Sequence, residues 1–257
     1  MNPRPTSGRV APAALLLAIA LAASGCGTLA PNPAKSYFVL QDLSQAPAVP
    51  TPRQVTAAPR PERAPVVLVS VNPSSTLYES AGIVFSRGPG ERAYYQFATW
   101  SERPSRRLGL LVERRLVGAI ASGVPLGGAA LDTSGVRGDW LLGVRLVELY
   151  HDTLQRPHRA VVTLEVELVD WERRTLLDRA TFHATAPLVA EEVEAAVTAM
   201  NQGLTAVLDD LNRWVAQKAF EVRGAAAAKE ETTSTRARGR PPKGANRPPR
   251  PCPPHCP

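Results

Sequence analysis

The period of apolar and polar side chains changes several times along the chain, and each period predicts a different element. Apolar and polar residues alternate strictly over residues 162–168, which indicates a strand with one buried face. After a turn, residues 176–182 supply its antiparallel partner. Uninterrupted apolar runs at residues 66–71 and 140–149 are typical of strands buried on both faces. The pattern therefore predicts a sheet with at least one central strand.

Two shorter stretches extend this predicted sheet. Residues 83–85 and 93–97 are rich in β-branched and aromatic side chains, and the turn-forming residues 86–90 separate them. This arrangement predicts a hairpin. Aromatic and apolar residues 37–40 predict one further short strand near the start of the chain.

A helical period appears twice. The first helix is expected to follow Pro104, with Ser101 as its cap and Gly123 at its end. The second follows Pro187, and its apolar stripe is Val193, Val197, Met200, Leu204, Val207, Leu208, Leu211 and Val215. Gly203 lies within this second stripe, where glycine costs about 1 kcal/mol relative to alanine, so a bend or a close helix crossing is expected there.

The apolar run at residues 11–23 has a different character from these elements. It follows the basic residues Arg4 and Arg9 and ends at the small residues Ser24 and Gly25, directly before Cys26. A helix of that length spans only about 20 Å, against roughly 30 Å of bilayer hydrocarbon. The layout is that of a bacterial signal peptide that is cleaved before a lipid-modified cysteine.

Cys26 is therefore the predicted lipidation site, with an acyl-type lipid, palmitate being the expected chain, joined to its sulfur as a thioether. Lipoprotein signals usually have leucine or a similar residue three positions before the cysteine, and here Ala23 stands there. The alternative is an ordinary secretory signal with an incidental cysteine. Position 27 is glycine rather than aspartate, so retention in the inner membrane is not indicated, and the outer membrane is the expected destination.

These patterns divide the chain into four parts. Residues 1–25 are the predicted signal peptide, and residues 26–65 a lipidated tether with a short strand and a Pro-rich linker. Residues 66–221 form the predicted folded domain. Residues 222–257, rich in alanine, charge and proline, are predicted to be a disordered basic tail. We expect a single α/β domain, a three-layer sandwich with a mixed sheet and helices packed on it.

The charge of the protein lies mostly outside the predicted domain. The net charge is +7, of which Arg4 and Arg9 contribute two units and the tail from Gly224 onward five. Residues 26–223 are consequently neutral overall, which argues against a nucleic-acid partner. The arginines of the first helix are accordingly expected to form a solvated polar face rather than a site for anionic lipid.

The sequence holds no pattern that specifies catalysis, a metal site or a cofactor. His151, His158 and His183 are separate, and His151 is the one that precedes a carboxylate, Asp152; neighbours on a strand point to opposite sides, so a catalytic dyad is not expected. Cys252, His255 and Cys256 lie in the proline-rich end, where an unstructured tail with a disulfide is favoured over a metal site. The body of the chain has no cysteine. We expect no enzymatic activity.

The ordered features resemble the ABC-type transport auxiliary lipoprotein family, the PqiC-like proteins encoded beside MCE-domain lipid transport systems. The resemblance covers about residues 26–220 and consists of weak signals in a particular order. These are Cys26, residues 37–40, 66–71 and 82–85, Tyr95, Trp100, Pro104, the helix with Leu108, Leu111 and Leu116, residues 139–142 and 164–170, Pro187, and the closing helix with Trp214.

This resemblance implies a non-enzymatic lipoprotein on the periplasmic face of the outer membrane. Its implied partners are an MCE-domain protein, the ABC permease and ATPase complex of that system, and other copies of itself. The long linker from Ser44 to Pro65 and the basic tail depart from the family pattern. The alternative is a lipoprotein that binds cell wall or supports outer-membrane assembly, unrelated to lipid transport. A periplasmic hydrolase that uses His151 is a third, less favoured hypothesis.

Overall fold

A computed structural model describes residues 34–44 and 64–238 of this chain. The predicted signal peptide, Cys26, most of the Pro-rich linker, and the cysteines and His255 at the end of the chain lie outside the described residues. The described part contains eight strands that form one sheet: β1 (Ser36–Phe38), β2 (Val66–Pro73), β3 (Gly82–Gly88), β4 (Glu91–Trp100), β5 (Gly128–Leu131), β6 (Trp140–Asp152), β7 (Arg159–Asp170) and β8 (Thr175–Pro187).

Strand β6 is the centre of the sheet. One of its edges pairs with β7 along its full length, antiparallel, and β7 pairs in the same way with β8. The other edge is shared, because β2 runs parallel to the first half of β6 and β3 runs parallel to the second half. Strand β5 extends β2 in parallel, while β4 pairs antiparallel with β3 and parallel with β1. The predicted mixed sheet and both predicted hairpins are confirmed.

Two long helices, α1 (Pro104–Ala121) and α2 (Val193–Arg238), cover the same face of the sheet. A Cβ at Gly109 of α1 would lie 3.6 Å from Val71, and one at Gly203 of α2 would lie 3.1 Å from Val162. Residues that pair across neighbouring strands have side chains on the same face of the sheet. Val71 pairs with Val144, and Val144 pairs with Val166, which lies on the same face of β7 as Val162. Val71 and Val162, and therefore both helices, are on one face of the sheet. The single-domain α/β fold is confirmed, but its layers number two rather than three.

The core lies between these helices and this face. Leu164 and Leu168 of β7 and Leu208 and Leu211 of α2 are completely buried. The opposite face of the sheet is polar, with Arg145 paired to Glu165 at 3.1 Å. A strand with alternating apolar and polar residues has one face in the core and one face toward solvent, and β7 has this arrangement, as its pattern predicts.

Other differences from the sequence prediction concern the ends of elements and one short strand. Arg103, not Ser101, is the residue before α1, and its side chain does not cap the helix. Gly123 follows the end of α1 with φ of +99°, a conformation that suits glycine, so the predicted stop is confirmed. Strand β5 was not predicted, because its four residues, Gly-Ala-Ala-Leu, have neither alternation nor bulk.

Helix α2 continues well past the boundary predicted at residue 221 and ends at Arg238. Its last fully packed residue is Ala219, and residues 220–225 are exposed. Alanines 225–228 are strong helix formers, so the helix extends there without a surface to bury. The predicted disorder of residues 222–257 therefore does not apply to 222–238. Among the described residues, no helix is both long and apolar enough to cross a membrane.

Candidate functional site

Cys26, the predicted lipidation site, lies outside the described residues, which begin at residue 34. The segment closest to it in sequence that the structure describes is β1 with the residues that follow. Strand β1 adds to the edge of β4, and residues 39–44, which we call the strap, then lie against α1 and α2. The backbone of Phe38 accepts a hydrogen bond from the amide of Ser101 at 2.7 Å, directly before the strap begins.

Polar side chains of both helices hold the backbone of the strap. Asn201 of α2, itself buried, accepts a hydrogen bond from the amide of Gln41 at 2.9 Å, and Thr205 accepts one from the amide of Leu43 at 2.8 Å. From α1, Arg107 donates to the carbonyl of Leu40 at 3.0 Å. These bonds satisfy the groups that an irregular segment leaves unpaired, so the strap has a fixed path.

One arginine joins the strap to both helices. Arg115 of α1 donates from Nε and Nη2 to the two carboxylate oxygens of Asp42, at 2.5 and 2.8 Å. Its Nη1 donates to Asp209 of α2 at 2.6 Å. The side chain of Arg115 is 12% exposed and that of Asp42 is 8% exposed. This bidentate geometry is the strongest form of an ion pair between side chains.

The acidity of Asp42 reflects this pairing. Burial on its own would raise the pKa of the carboxyl group, but the hydrogen bonds from Arg115 and from the amide of Ser44 outweigh it and lower the pKa. The carboxylate is therefore charged at every physiological pH. The ion pair thus fixes the strap on the two helices, 16 residues after Cys26 in the sequence.

A second polar cluster, which we call the histidine chain, lies on the helix-covered face beyond the start of α2. The phenol oxygen of Tyr95 is 2.6 Å from Nδ1 of His151, and Nε2 of His151 is 3.2 Å from Nδ1 of His158. Nε2 of His158 is 3.9 Å from Oε1 of Glu191. His151 is only 1% exposed, whereas Glu191 is open to solvent.

The protonation state of this chain follows from its surroundings. Burial, and then the neighbouring His158, lower the pKa of His151 to about 4, so its imidazole is neutral. Burial raises the pKa of Tyr95 to about 12, so its phenol keeps its proton. Donation from the phenol to Nδ1 leaves the proton of His151 on Nε2, and the chain then points an N–H of His158 toward the Glu191 carboxylate. Electrostatics favours this direction over the reverse.

This arrangement positions His151 as a structural group. Both ring nitrogens of His151 have hydrogen-bond partners within the protein, so neither nitrogen faces a space that a substrate could enter. The structure thus does not support the hydrolase hypothesis for His151. Within residues 34–44 and 64–238, no group of three or more histidine, cysteine, aspartate or glutamate residues has the geometry for a metal ion.

The other polar residues considered in the sequence are separate from the histidine chain. Asp152 accepts hydrogen bonds from Ser86 at 3.3 Å and from Arg159 at 3.0 Å. His151 and Asp152 are the last two residues of β6. His183 lies on the polar face of the sheet, 2.9 Å from Thr163.

Sequence reasoning missed both the strap and the histidine chain. The arginines of α1 were assigned to a solvated face, which holds for Arg106 and Arg114 but not for Arg107 and Arg115. The available signal was the position of the last two on the flank of the apolar stripe, eight residues or about two helical turns apart. Tyr95 carried no signal of its own, because its partner is 56 residues away.

The fold and the strap define a class: a two-layer α/β domain whose amino-terminal segment is docked onto its helices. Two solved structures share the fold. Protein XCC0632 from Xanthomonas campestris is 20% identical, with a TM-score of 0.57, over 74% of this chain and 99% of that chain. An uncharacterized protein is 14% identical, with a TM-score of 0.52, over 71% of this chain and 99% of that chain. Among curated proteins, none matches this sequence significantly.

The family model described as the ABC-type transport auxiliary lipoprotein component matches residues 43–212. That match covers the domain from the strap to the packed part of α2. This chain therefore belongs to the ABC-type transport auxiliary lipoprotein family, as the order of its sequence features indicates. The lipoprotein character of the family agrees with the signal and cysteine at the start of the sequence.

Proposed function

We propose that this protein is a lipid-anchored component of the outer membrane that serves, from the periplasmic side, as a non-enzymatic auxiliary part of an ABC/MCE-type lipid transport system. The observation that carries the proposal is family membership over residues 43–212, and the predicted signal peptide before Cys26 supports it. The docked strap supports it, because an adaptor must hold its domain at a defined point relative to its anchor. The partners would be an MCE-domain protein and its permease and ATPase.

The described residues favour an adaptor over an enzyme on physical grounds. The folded part is neutral overall, and the polar groups of the histidine chain and of the Arg115 pair are bonded to each other. Binding partners are then recognised by exposed surfaces and loops. Val189, 95% exposed before α2, and Val136, 49% exposed before β6, lie at opposite ends of β6 and provide two such positions.

Crosslinking in cells tests this proposal. A photoreactive amino acid is placed at Val189 or at Val136 in the full-length chain, and the captured proteins are identified by mass spectrometry. We expect an MCE-domain protein or a permease subunit from at least one position. The same substitutions in a Cys26→Ala chain provide the matched control, because loss of the anchor should reduce capture. Capture of barrel-assembly or cell-wall proteins alone would instead favour the alternative hypothesis and overturn the proposal.

A further inference from the structure

A cleft of about 570 Å³ opens at the carboxyl ends of the parallel strands β2 and β5, beside the first turns of α1. Its volume falls within the range of about 300–1,000 Å³ that is usual for small-molecule sites. In open α/β sheets, ligands bind outside the carboxyl ends of parallel strands, because loops and helix starts surround that edge. The cleft is distinct from the strap and from the histidine chain.

The floor of the cleft is apolar. It consists of Val69 and Val71 from β2, Leu131 from the end of β5, and the backbone of Gly109 in α1. Gly109 is decisive here, because a Cβ at this position would lie 3.3 Å from Leu131 and 3.6 Å from Val71. The absence of a side chain leaves the floor open. Strand β5 ends at Leu131, opposite Val69, so Val71 has no further neighbour on that side.

The rim of the cleft is charged. Arg103 and Arg106 line it, both exposed, and neither guanidinium has an ion pair or a hydrogen bond within the part of the chain that the structure describes. Of the two acidic residues on the rim, Glu102 already faces Arg107 at 3.8 Å. Asp132 is then the one acidic residue that lines the cleft beside the two unpaired arginines. Counting Arg107, three arginines stand against Glu102 and Asp132, so this edge has an excess of one positive charge over an apolar floor.

We infer that this cleft binds an amphiphile that has one anionic head group and an apolar chain. Arg103 and Arg106 bind the head group. Their planar guanidinium groups can form charge-assisted hydrogen bonds with either a carboxylate or a phosphate. The floor formed by Val69, Val71, Leu131 and Gly109 receives the start of the chain. The site depends neither on the lipid anchor nor on a transport partner, so its test can fail while the proposed function stands.

Titration of the intact mature chain with Cys26→Ser, which removes the lipid, tests the inference. Isothermal titration calorimetry is carried out below the concentration at which each amphiphile forms micelles. The four probes are palmitate, palmitoyl lysophosphatidate, uncharged monopalmitoylglycerol and inorganic phosphate. We expect palmitate, lysophosphatidate or both to bind with one-to-one stoichiometry, and at least tenfold more tightly than the uncharged probe and than phosphate. The comparison of palmitate with lysophosphatidate distinguishes a carboxylate ligand from a phosphate ligand.

Two variants within the cleft, and one control variant outside it, show whether binding takes place there. The pair Arg103→Gln and Arg106→Gln should weaken binding by about tenfold or more, because charged hydrogen bonds are lost. The pair Arg114→Gln and Arg223→Gln removes the same charge from exposed positions away from the cleft and should leave affinity unchanged. Gly109→Leu should abolish binding by filling the floor, and its melting temperature shows whether the fold is retained.

Each contrary result overturns the inference. No binding of either anionic amphiphile would refute the site. Equal affinity for monopalmitoylglycerol would remove the role of the arginines, and equal affinity for inorganic phosphate would remove the role of the floor. Binding that survives the Arg103 and Arg106 substitutions unchanged would place the ligand elsewhere on the protein.

Discussion

Arg115 in α1 holds Asp42, 73 residues earlier in the chain, through two hydrogen bonds to one carboxylate. Substitution of Arg115 by methionine leaves that largely buried carboxylate without a cationic partner, with the hydrogen bond from the amide of Ser44 still in place. We expect Arg115→Met to lower the free energy of unfolding by about 2–3 kcal/mol. Arg114→Met, at an exposed position on the same helix, should change it by less than about 0.5 kcal/mol. Urea denaturation measures both, and equal effects would contradict the role of the pair.

The histidine chain makes stability depend on pH. His151 has a pKa of about 4 in the folded protein against 6.5 as its ordinary value, so the unfolded chain takes up the proton first. Its contribution is fully present above pH 6.5 and is lost as pH falls toward 4, by about 3 kcal/mol in all. His151→Gln, which cannot titrate, should flatten the stability profile between these pH values, as followed by thermal melts.

His183→Gln is the matched control for that profile. His183 is exposed on the polar face of the sheet, so its removal should leave the dependence on pH intact. If the two variants gave the same profile, burial of His151 would not be its cause.

Two helical glycines should respond in opposite ways to alanine. Gly118 in α1 has no atom within 4 Å of an added Cβ, so Gly118→Ala should stabilise the protein by about 0.5–1 kcal/mol through helix propensity. At Gly203 the same Cβ would lie 3.1 Å from Val162, which is completely buried and unable to move away. Gly203→Ala should therefore destabilise the protein. Chemical denaturation decides, and stabilisation by both would contradict the close crossing of α2 over β7.

Cys26→Ala tests the anchor. Loss of the thiol removes the only predicted attachment to the membrane, so the protein should move from the membrane fraction to the soluble periplasmic fraction. Fractionation followed by immunoblotting measures the shift. A variant that stays in the membrane fraction would show that another part of the protein holds it there.

Truncation separates the packed part of α2 from its extension. A chain that ends at Arg223 keeps all the residues of α2 that the structure shows as buried and should melt within a few degrees of the full-length protein. A chain that ends at Leu211 loses Val215 and Ala219, which are fully buried, and should melt far lower. Calorimetry compares the two, and a large loss for the first would assign a packing role to the residues after 223.

The sequence predicts most of this fold because its strands and helices have clear periods. The alternation at residues 162–168 identifies β7, and the apolar run at 140–149 identifies β6. The structure places β6 at the centre of the sheet, as its apolar run predicts. The number of layers was not predictable in this way. A helix period shows which side of a helix is buried, whereas the face of the sheet that it covers depends on the connections between strands.

The candidate sites were harder to predict for a related reason. In sequence, Arg115 differs from its exposed neighbour Arg114 only by lying on the flank of the apolar stripe, and that position does not show that Asp42 is its partner. The partners in the histidine chain come from β4, β6, a loop and the approach to α2, so no local motif contains them. Contacts between segments that are far apart in the chain do not produce a local sequence motif.

The strap also determines how the molecule would bear mechanical load. Tension applied through an amino-terminal anchor would enter at β1 and the strap, where backbone hydrogen bonds and the Arg115 pair resist it side by side. The hydrophobic core under α1 and α2 lies behind these bonds and would carry no force until they gave way. A domain held by such a strap would keep its hydrophobic core intact when its amino-terminal segment is pulled.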